Sequence, residues 1–141
     1  MENVMTQKTL YLGREPEQFT PGQELVLESF FEQSPYGVVF EDDCGTGYFY
    51  AVHQEEGILD ALHIYNVDDV ADRHIPSEIS ILWSEDLGLA TLDINGYIHA
   101  VFDFAAHAGY CRNAFPEADG DWLREPNRLL SDELLDQLLG A

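Results

Sequence analysis

The dipeptide Asn95-Gly96 constrains the fold of this chain more than any other feature, because it joins two segments that both favour β-structure. Asn and Gly tolerate positive φ angles, which the central residues of tight hairpin turns require. The flanking segments, 89–94 and 97–104, are rich in β-branched and aromatic residues. A third such segment, 78–84, precedes them. The sequence therefore predicts three consecutive antiparallel strands.

The loop length decides which side chains of this hairpin face the core. A two-residue loop would pair Leu92 with His99, which mixes polar and apolar residues on both faces. A three-residue loop with Gly96 in a bulge separates them, and register follows the face that can be buried. We therefore expect the bulged loop, with a core face of Ala90, Leu92, Ile98, Ala100, Phe102 and Phe104 and a solvated face of Thr91, Asp93, Tyr97, His99 and Asp103.

The remaining chain adds strands and one helix. Strand composition or hairpin signals mark the segments 10–12, 24–31, 36–41, 48–52 and 58–65. Gly and Pro punctuate residues 1–23 and 105–130, which predicts an irregular entry and a second irregular stretch. Residues 131–139 favour a helix, because Ser131 is a good N-cap, Gly140 suits the end and leucines form one stripe between them.

These elements predict an α+β fold: one antiparallel sheet of about five to seven strands with the C-terminal helix packed on one face. The length of 141 residues is that of one domain, so 1–141 is expected to fold as a unit. No window is long and apolar enough to span a bilayer, and the first residues do not resemble a signal peptide. Two widely separated cysteines, Cys44 and Cys111, are expected to be free thiols in the cytoplasm.

Charge is the compositional outlier. The chain has 27 acidic residues against six basic ones, a formal net charge of −21. No Lys or Arg occurs between Glu15 and Asp72. Such a surface repels nucleic acid and anionic lipid, so neither is an expected partner, and it attracts a basic protein, a metal ion or a cationic ligand. The alternative is that the acidity serves solubility alone.

Two groups of residues are candidate binding sites. Asp93, His99 and Asp103 lie on the polar side of the last hairpin, where they would serve a metal ion or acid–base chemistry. Because His99 and Asp103 are about 13 Å apart along a straight strand, the alternative is a solvated face with one His–Asp pair.

The second group is the acidic turn Glu41, Asp42 and Asp43, which would bind a hard cation or form the rim of an interface. The alternative is that these carboxylates only form hydrogen bonds with the backbone of their own turn. The acidic stretch 117–121 has the same two interpretations. The metal identity is left unknown, and no cofactor is expected, since no Gly-rich phosphate loop, nucleophile elbow or zinc motif is present.

Several segments resemble an uncharacterised family of small bacterial proteins, a domain of unknown function. They are Tyr-Gly-Val-Val-Phe-Glu-Asp-Asp at 36–43, Thr-Gly-Tyr-Phe-Tyr-Ala at 46–51, Leu-Asp-Ala-Leu-His-Ile-Tyr at 59–65, Leu-Trp-Ser-Glu-Asp at 82–86, Ile-Asn-Gly-Tyr at 94–97, His-Ala-Val-Phe-Asp-Phe at 99–104 and Gly-Tyr-Cys-Arg at 109–112. The resemblance implies a bacterial cytoplasmic protein and transfers no catalytic residues. In size and charge the chain is also similar to small acidic immunity proteins of bacterial toxin systems.

Two classes of function follow. The first is a non-enzymatic acidic binding module, such as an inhibitor or immunity protein for a basic partner. The second is a metal-dependent or His–Asp enzyme that uses the polar face of the last hairpin. The missing catalytic and phosphate motifs favour the first class.

Overall fold

A computed structural model describes residues 9–72, 74–116, 122 and 128–140. Within them the chain forms ten strands and one α-helix. The elements are β1 (Leu10–Leu12), β2 (Glu17–Phe19), β3 (Leu25–Phe30), β4 (Tyr36–Asp42), β5 (Thr46–His53), β6 (Gly57–Asn66), β7 (Ser77–Ser84), β8 (Leu89–Ile94), β9 (Tyr97–Asp103), β10 (Ala108–Cys111) and α1 (Asp132–Leu139), with a 3₁₀ turn at Val67–Asp69.

The strands form two antiparallel sheets. The four-stranded sheet is the meander β3-β4-β5-β6, and the six-stranded sheet has the order β1-β7-β8-β9-β10 with β2 also paired to β7. β1 and β2 follow one another along the same edge of β7, and between them the Gly13 N–H donates to the Ile81 carbonyl (2.8 Å). The prediction of antiparallel strands with a C-terminal helix is confirmed, and the prediction of a single sheet is wrong.

The core lies between the sheets, and this explains the second sheet. Each group of strands has one apolar face, and the two faces bury each other. Phe49 of β5 stacks on Phe102 of β9 with ring centroids 5.2 Å apart. Both side chains are fully buried. The short C-terminal helix packs on only one side of the six-stranded sheet. The apolar face on its other side is buried by the four-stranded sheet.

The helix α1 packs against part of the outer surface of the six-stranded sheet. The Ser131 hydroxyl accepts a hydrogen bond from the Leu134 N–H (3.0 Å), which confirms the predicted N-cap. The leucine stripe packs with Leu89 and Val101 of the sheet. Thr91 is also fully buried. The expectation that this face of the last hairpin is solvated is therefore wrong at Thr91.

The bulge of the last hairpin lies in a strand and not in the loop, so the predicted bulged loop is wrong. Asn95 and Gly96 have φ angles of +56° and +84° and form a two-residue loop that pairs Ile94 with Tyr97. The extra residue lies in β9 instead, where the pairing shifts so that Leu92 faces Ala100. The core face is thus as predicted for 90, 92, 100, 102 and 104, but Ile98 packs on the other side of the sheet, against the cluster of Leu89, Val101 and Leu130.

Two stretches predicted as irregular contain strands. β2 lies in the entry 1–23, which otherwise holds the expected short strand β1, and β10 lies within 105–130. Both are three or four residues long. Strands this short do not show the alternation by which longer strands are recognised.

Candidate functional site

The outer surface of the four-stranded sheet is a broad surface that no described helix covers, and we call it the open face. Its side chains alternate with those that enter the core. It comprises Val26, Glu28, Phe30, Val39, Glu41, Tyr48, Tyr50, Val52, Ala61 and His63. Val26 and Phe30 are 50% and 42% exposed. An outer sheet surface exposed to water is normally polar, so the apolar and aromatic content of the open face is unusual.

Aromatic side chains occupy the centre of the open face. Tyr48 and Tyr50 stack with centroids 5.9 Å apart, and the His63 ring meets Tyr48 edge-on at 5.3 Å. Phe30 lies over Gly37, where a Cβ would be 2.1 Å from the phenyl ring, so only glycine fits there. Burial, followed by the charge of Glu41, raises the pKa of Tyr50, which keeps its hydroxyl a neutral donor.

At one end the open face deepens into a groove of about 710 Å³ around His63. The His63 Nε2 lies 3.0 Å from the Asn66 Oδ1, and its Nδ1 lies 2.7 Å from the Asn113 Nδ2. Because an amide nitrogen only donates, Nδ1 accepts and the proton is on Nε2. Asn66 in turn donates to the Asp69 carboxylate (3.1 Å).

The hydrogen-bond chain continues through Asn113 into the segment after β10. Its Oδ1 accepts from the Phe115 N–H (2.9 Å) and the Cys111 thiol (3.2 Å). The Phe115 ring stands perpendicular to His63 at 5.7 Å. Since both ring nitrogens of His63 are occupied, the arrangement fixes the shape of the groove and leaves His63 no free nitrogen for a metal or a substrate proton.

The acidic turn divides into three different environments. Glu41 lies on the open face, opposite Tyr48 in the sheet. Asp42 is fully buried and accepts hydrogen bonds from the Gly22 N–H, the Cys44 N–H and the Tyr65 hydroxyl. It is therefore a structural acceptor, and the view of all three as solvated rim charges is wrong for Asp42.

Asp43 and Tyr65 show how the turn is held. Asp43 is exposed, and hydrogen bonds from the backbone N–H groups of Thr46 and Gly45 lower its pKa. Burial and the hydrogen bond to Asp42 raise the pKa of Tyr65, so the phenol stays a donor. Turn and interior hydrogen bonds thus account for Asp42 and Asp43.

The second predicted group does not converge. The Asp93 carboxylate accepts from the Gly96 N–H (2.7 Å), and Asp103 accepts from the Ala106 N–H (3.1 Å), so each closes its own turn. His99 packs against Tyr97 at 5.0 Å, and burial, then the Arg112 guanidinium, lowers its pKa. Among the described residues no three His, Cys, Asp or Glu side chains are placed to hold a metal ion. The candidate stretch 117–121 lies outside the described residues.

Positive charge in the described part of the chain is already neutralised. Arg14 pairs with Glu17, and Arg112 pairs with Asp132. Arg128 is fully buried, pairs with Asp60 and donates to the Gly109 and Pro116 carbonyls. Because these arginines cancel only their own partners, most of the acidic surplus remains uncompensated.

Sequence reasoning missed the residues at the centre of the open face. The signal was present, since Tyr48 and Tyr50 flank Phe49 with strand periodicity and must lie on the face opposite to it. His63 and Asn113 are 50 residues apart, and their pairing depends on the contact between β6 and the segment after β10.

Comparison with known proteins places these features in a family. Residues 19–139 match the model of a family described as "Uncharacterized protein conserved in bacteria (DUF2251)". An uncharacterised protein of Haemophilus influenzae (strain ATCC 51907 / DSM 11121 / KW20 / Rd) is 40% identical over 141 residues, which span 95% of this chain and 84% of that protein. No solved structure matches. Over the described residues, no helix has the length and apolar character needed to cross a bilayer.

Proposed function

This chain belongs to the bacterial family DUF2251, and we propose that it is a non-enzymatic acidic module that binds a basic protein through its open face. The cytoplasm is the proposed location. Inhibition of a basic protein, as by an immunity protein that neutralises a toxin, is the form of this function that the size and charge favour.

The observation that carries the proposal is an aromatic sheet surface that no element of the described residues covers, in a chain of net charge −21. Tyr48 and Tyr50 are half-buried, and the exposed parts of their rings supply contact area and attract Lys and Arg side chains. Glu28 and Glu41 lie among them and supply opposite charge. A basic partner with apolar side chains complements both features, whereas the phosphates of a nucleic acid are repelled by the negative charge.

The test compares three baits in affinity capture from a bacterium that carries the gene. They are the wild type, the double variant Tyr48→Ala/Tyr50→Ala and the control Tyr11→Ala, which removes a tyrosine that is 51% exposed on the other sheet. A basic protein retained by the wild type and the control but lost from the double variant is the expected result. Equal retention by all three baits contradicts the proposal.

Kinetics on the captured protein then test the electrostatic part. The on-rate is expected to fall about tenfold or more between about 0.03 M and about 0.3 M salt, because screening removes steering. Glu41→Lys should lower the on-rate further, while the matched reversal of the exposed loop residue Glu32 should have less effect. Loss of both tyrosines should weaken binding by about 30-fold, the usual effect of removing central aromatic anchors.

A further inference from the structure

A second cleft lies at the end of the two sheets opposite to the His63 groove. The β3–β4 loop, the β7–β8 turn and the β9–β10 turn surround it, and its volume is about 800 Å³. Loops at the end of two packed sheets are a common place for a ligand site. The residues that line the cleft include Phe31, Ser34, Tyr36, Glu85, Leu87 and Phe104.

The cleft has an aromatic wall that neighbouring rings hold in place. Tyr36 stacks on Phe104 at 4.8 Å, and Phe104 in turn stacks on Trp83 at 5.7 Å. Phe31 meets Trp83 edge-on at 5.4 Å. Since Trp83 donates its ring N–H to Ser29 inside the core (2.9 Å), the wall is anchored in the protein interior. A wall fixed in this way is preorganised for a ligand.

The β7–β8 turn, next to this wall, brings a carboxylate to the cleft. Leu87 has a φ of +60°, and its N–H donates to the Ser84 carbonyl (2.9 Å). The Asp86 carboxylate accepts from the Ser84 hydroxyl and the Gly88 N–H, so it is used in holding the turn. Glu85 is exposed at the rim of the cleft. No Lys or Arg occurs among the described residues that line the cleft.

We propose that this cleft binds the guanidinium or alkylammonium group of a cationic ligand. Aromatic rings beside a carboxylate are the chemistry that recognises such groups, because the rings and the carboxylate attract the same positive charge while the rings cover the attached carbon chain. An anion would meet the Glu85 charge, and a neutral apolar ligand would leave it unused. The site is separate from the open face and does not depend on the function proposed for that surface.

The experiment titrates ¹⁵N-labelled protein with two probes that carry the same group. Agmatine represents a free small cation, and the capped tripeptide acetyl-Gly-Arg-Gly-amide represents an arginine side chain in a protein segment. Saturable shifts at the amides of Phe31, Glu85, Leu87 and Phe104 are expected with at least one probe. Tighter binding of agmatine assigns a free ligand, and tighter binding of the peptide assigns a protein segment.

Three controls make the outcome decisive. The citrulline tripeptide keeps the shape of the arginine side chain without its charge and should bind at least tenfold more weakly. Glu85→Gln should weaken binding about tenfold, whereas Glu24→Gln, an equal charge change at the far end of β3, should not. Phe31→Leu should also weaken binding.

Shifts spread evenly over the acidic surface, equal binding of the citrulline tripeptide, or no saturable binding of either probe would overturn the proposal. The Tyr48→Ala/Tyr50→Ala variant should bind the probes normally, which separates this test from that of the open face.

Discussion

Replacement of Asp42 by alanine should destabilise the protein far more than the same change at the adjacent Asp43. Asp42 is completely buried and accepts hydrogen bonds from the Gly22 N–H (2.8 Å), the Cys44 N–H (2.8 Å) and the Tyr65 hydroxyl (2.6 Å). Asp43 accepts a similar number in an exposed turn. Both substitutions remove one negative charge, so the comparison isolates burial.

The magnitude follows from what becomes of the three donors. Cys44 is exposed, and water can satisfy its N–H, whereas the donors of Gly22 and Tyr65 lie partly out of water. Hydrogen bonds to a charged group contribute about 1.5–3 kcal/mol each. Two such losses, taken at the lower end because removing an acid relieves repulsion in a strongly acidic chain, give about 3 kcal/mol. For a chain of this size that corresponds to a melting temperature lowered by about 6–12 °C.

Urea denaturation with tryptophan fluorescence measures both variants, and thermal unfolding checks the shift. Tyr65→Phe should cost about 1 kcal/mol alone and much less in the Asp42→Ala background, since the two groups share one hydrogen bond. Equal denaturation midpoints for Asp42→Ala and Asp43→Ala would refute the argument, because burial would then not distinguish the two carboxylates.

Three further predictions concern other parts of the fold. Thr91→Asp should unfold the protein almost as severely as Phe102→Asp, because Thr91 is also fully buried; circular dichroism that shows a native Thr91→Asp would contradict this. Burial and Arg112 lower the pKa of His99 below 6.5, so the stability that the neutral imidazole contributes is complete above pH 6.5 and is lost as the pH falls below the lowered pKa. The free energy of unfolding of the wild type relative to His99→Gln, from urea curves between pH 8 and pH 5, should therefore decrease with acidification. A constant difference between the two proteins would contradict this. Cys44 should react with a thiol reagent in the native state and Cys111 only after unfolding, since burial also raises the pKa of Cys111; two equally fast thiols would contradict its placement.

The strands of the last hairpin were predictable because their signals are local. The tolerance of Asn95 and Gly96 for positive φ specifies the turn, and the alternation of large and polar side chains specifies which residues enter the core. The position of the bulge was not predictable, since a bulge in the turn and one in β9 give Leu92 the same partner, Ala100. The two bulge positions differ in the side of the sheet on which the Ile98 side chain lies.

Local patterns show which side chains share the outer face of a strand, as for Tyr48 and Tyr50, but they do not show that the core is closed by a second sheet. Alternation shows that a strand has an apolar face, but it does not show whether a helix or another sheet covers that face. The same limit applies to Thr91, whose polar neighbours in sequence predict exposure although the assembled fold buries it completely. The hydrogen bonds of His63 and Asp42 join residues that only the assembled fold brings together.

The position of β1 and β2 along β7 has a consequence for self-association. Their six residues pair with β7, whose inward side chains include Ile79, Ile81 and Trp83. If both short strands detach, β7 becomes a long apolar edge with unpaired backbone groups, which is the template on which another copy can add a strand. β1 and β2 therefore prevent such pairing by occupying the edge of β7. Repulsion between negatively charged copies opposes their approach before they touch.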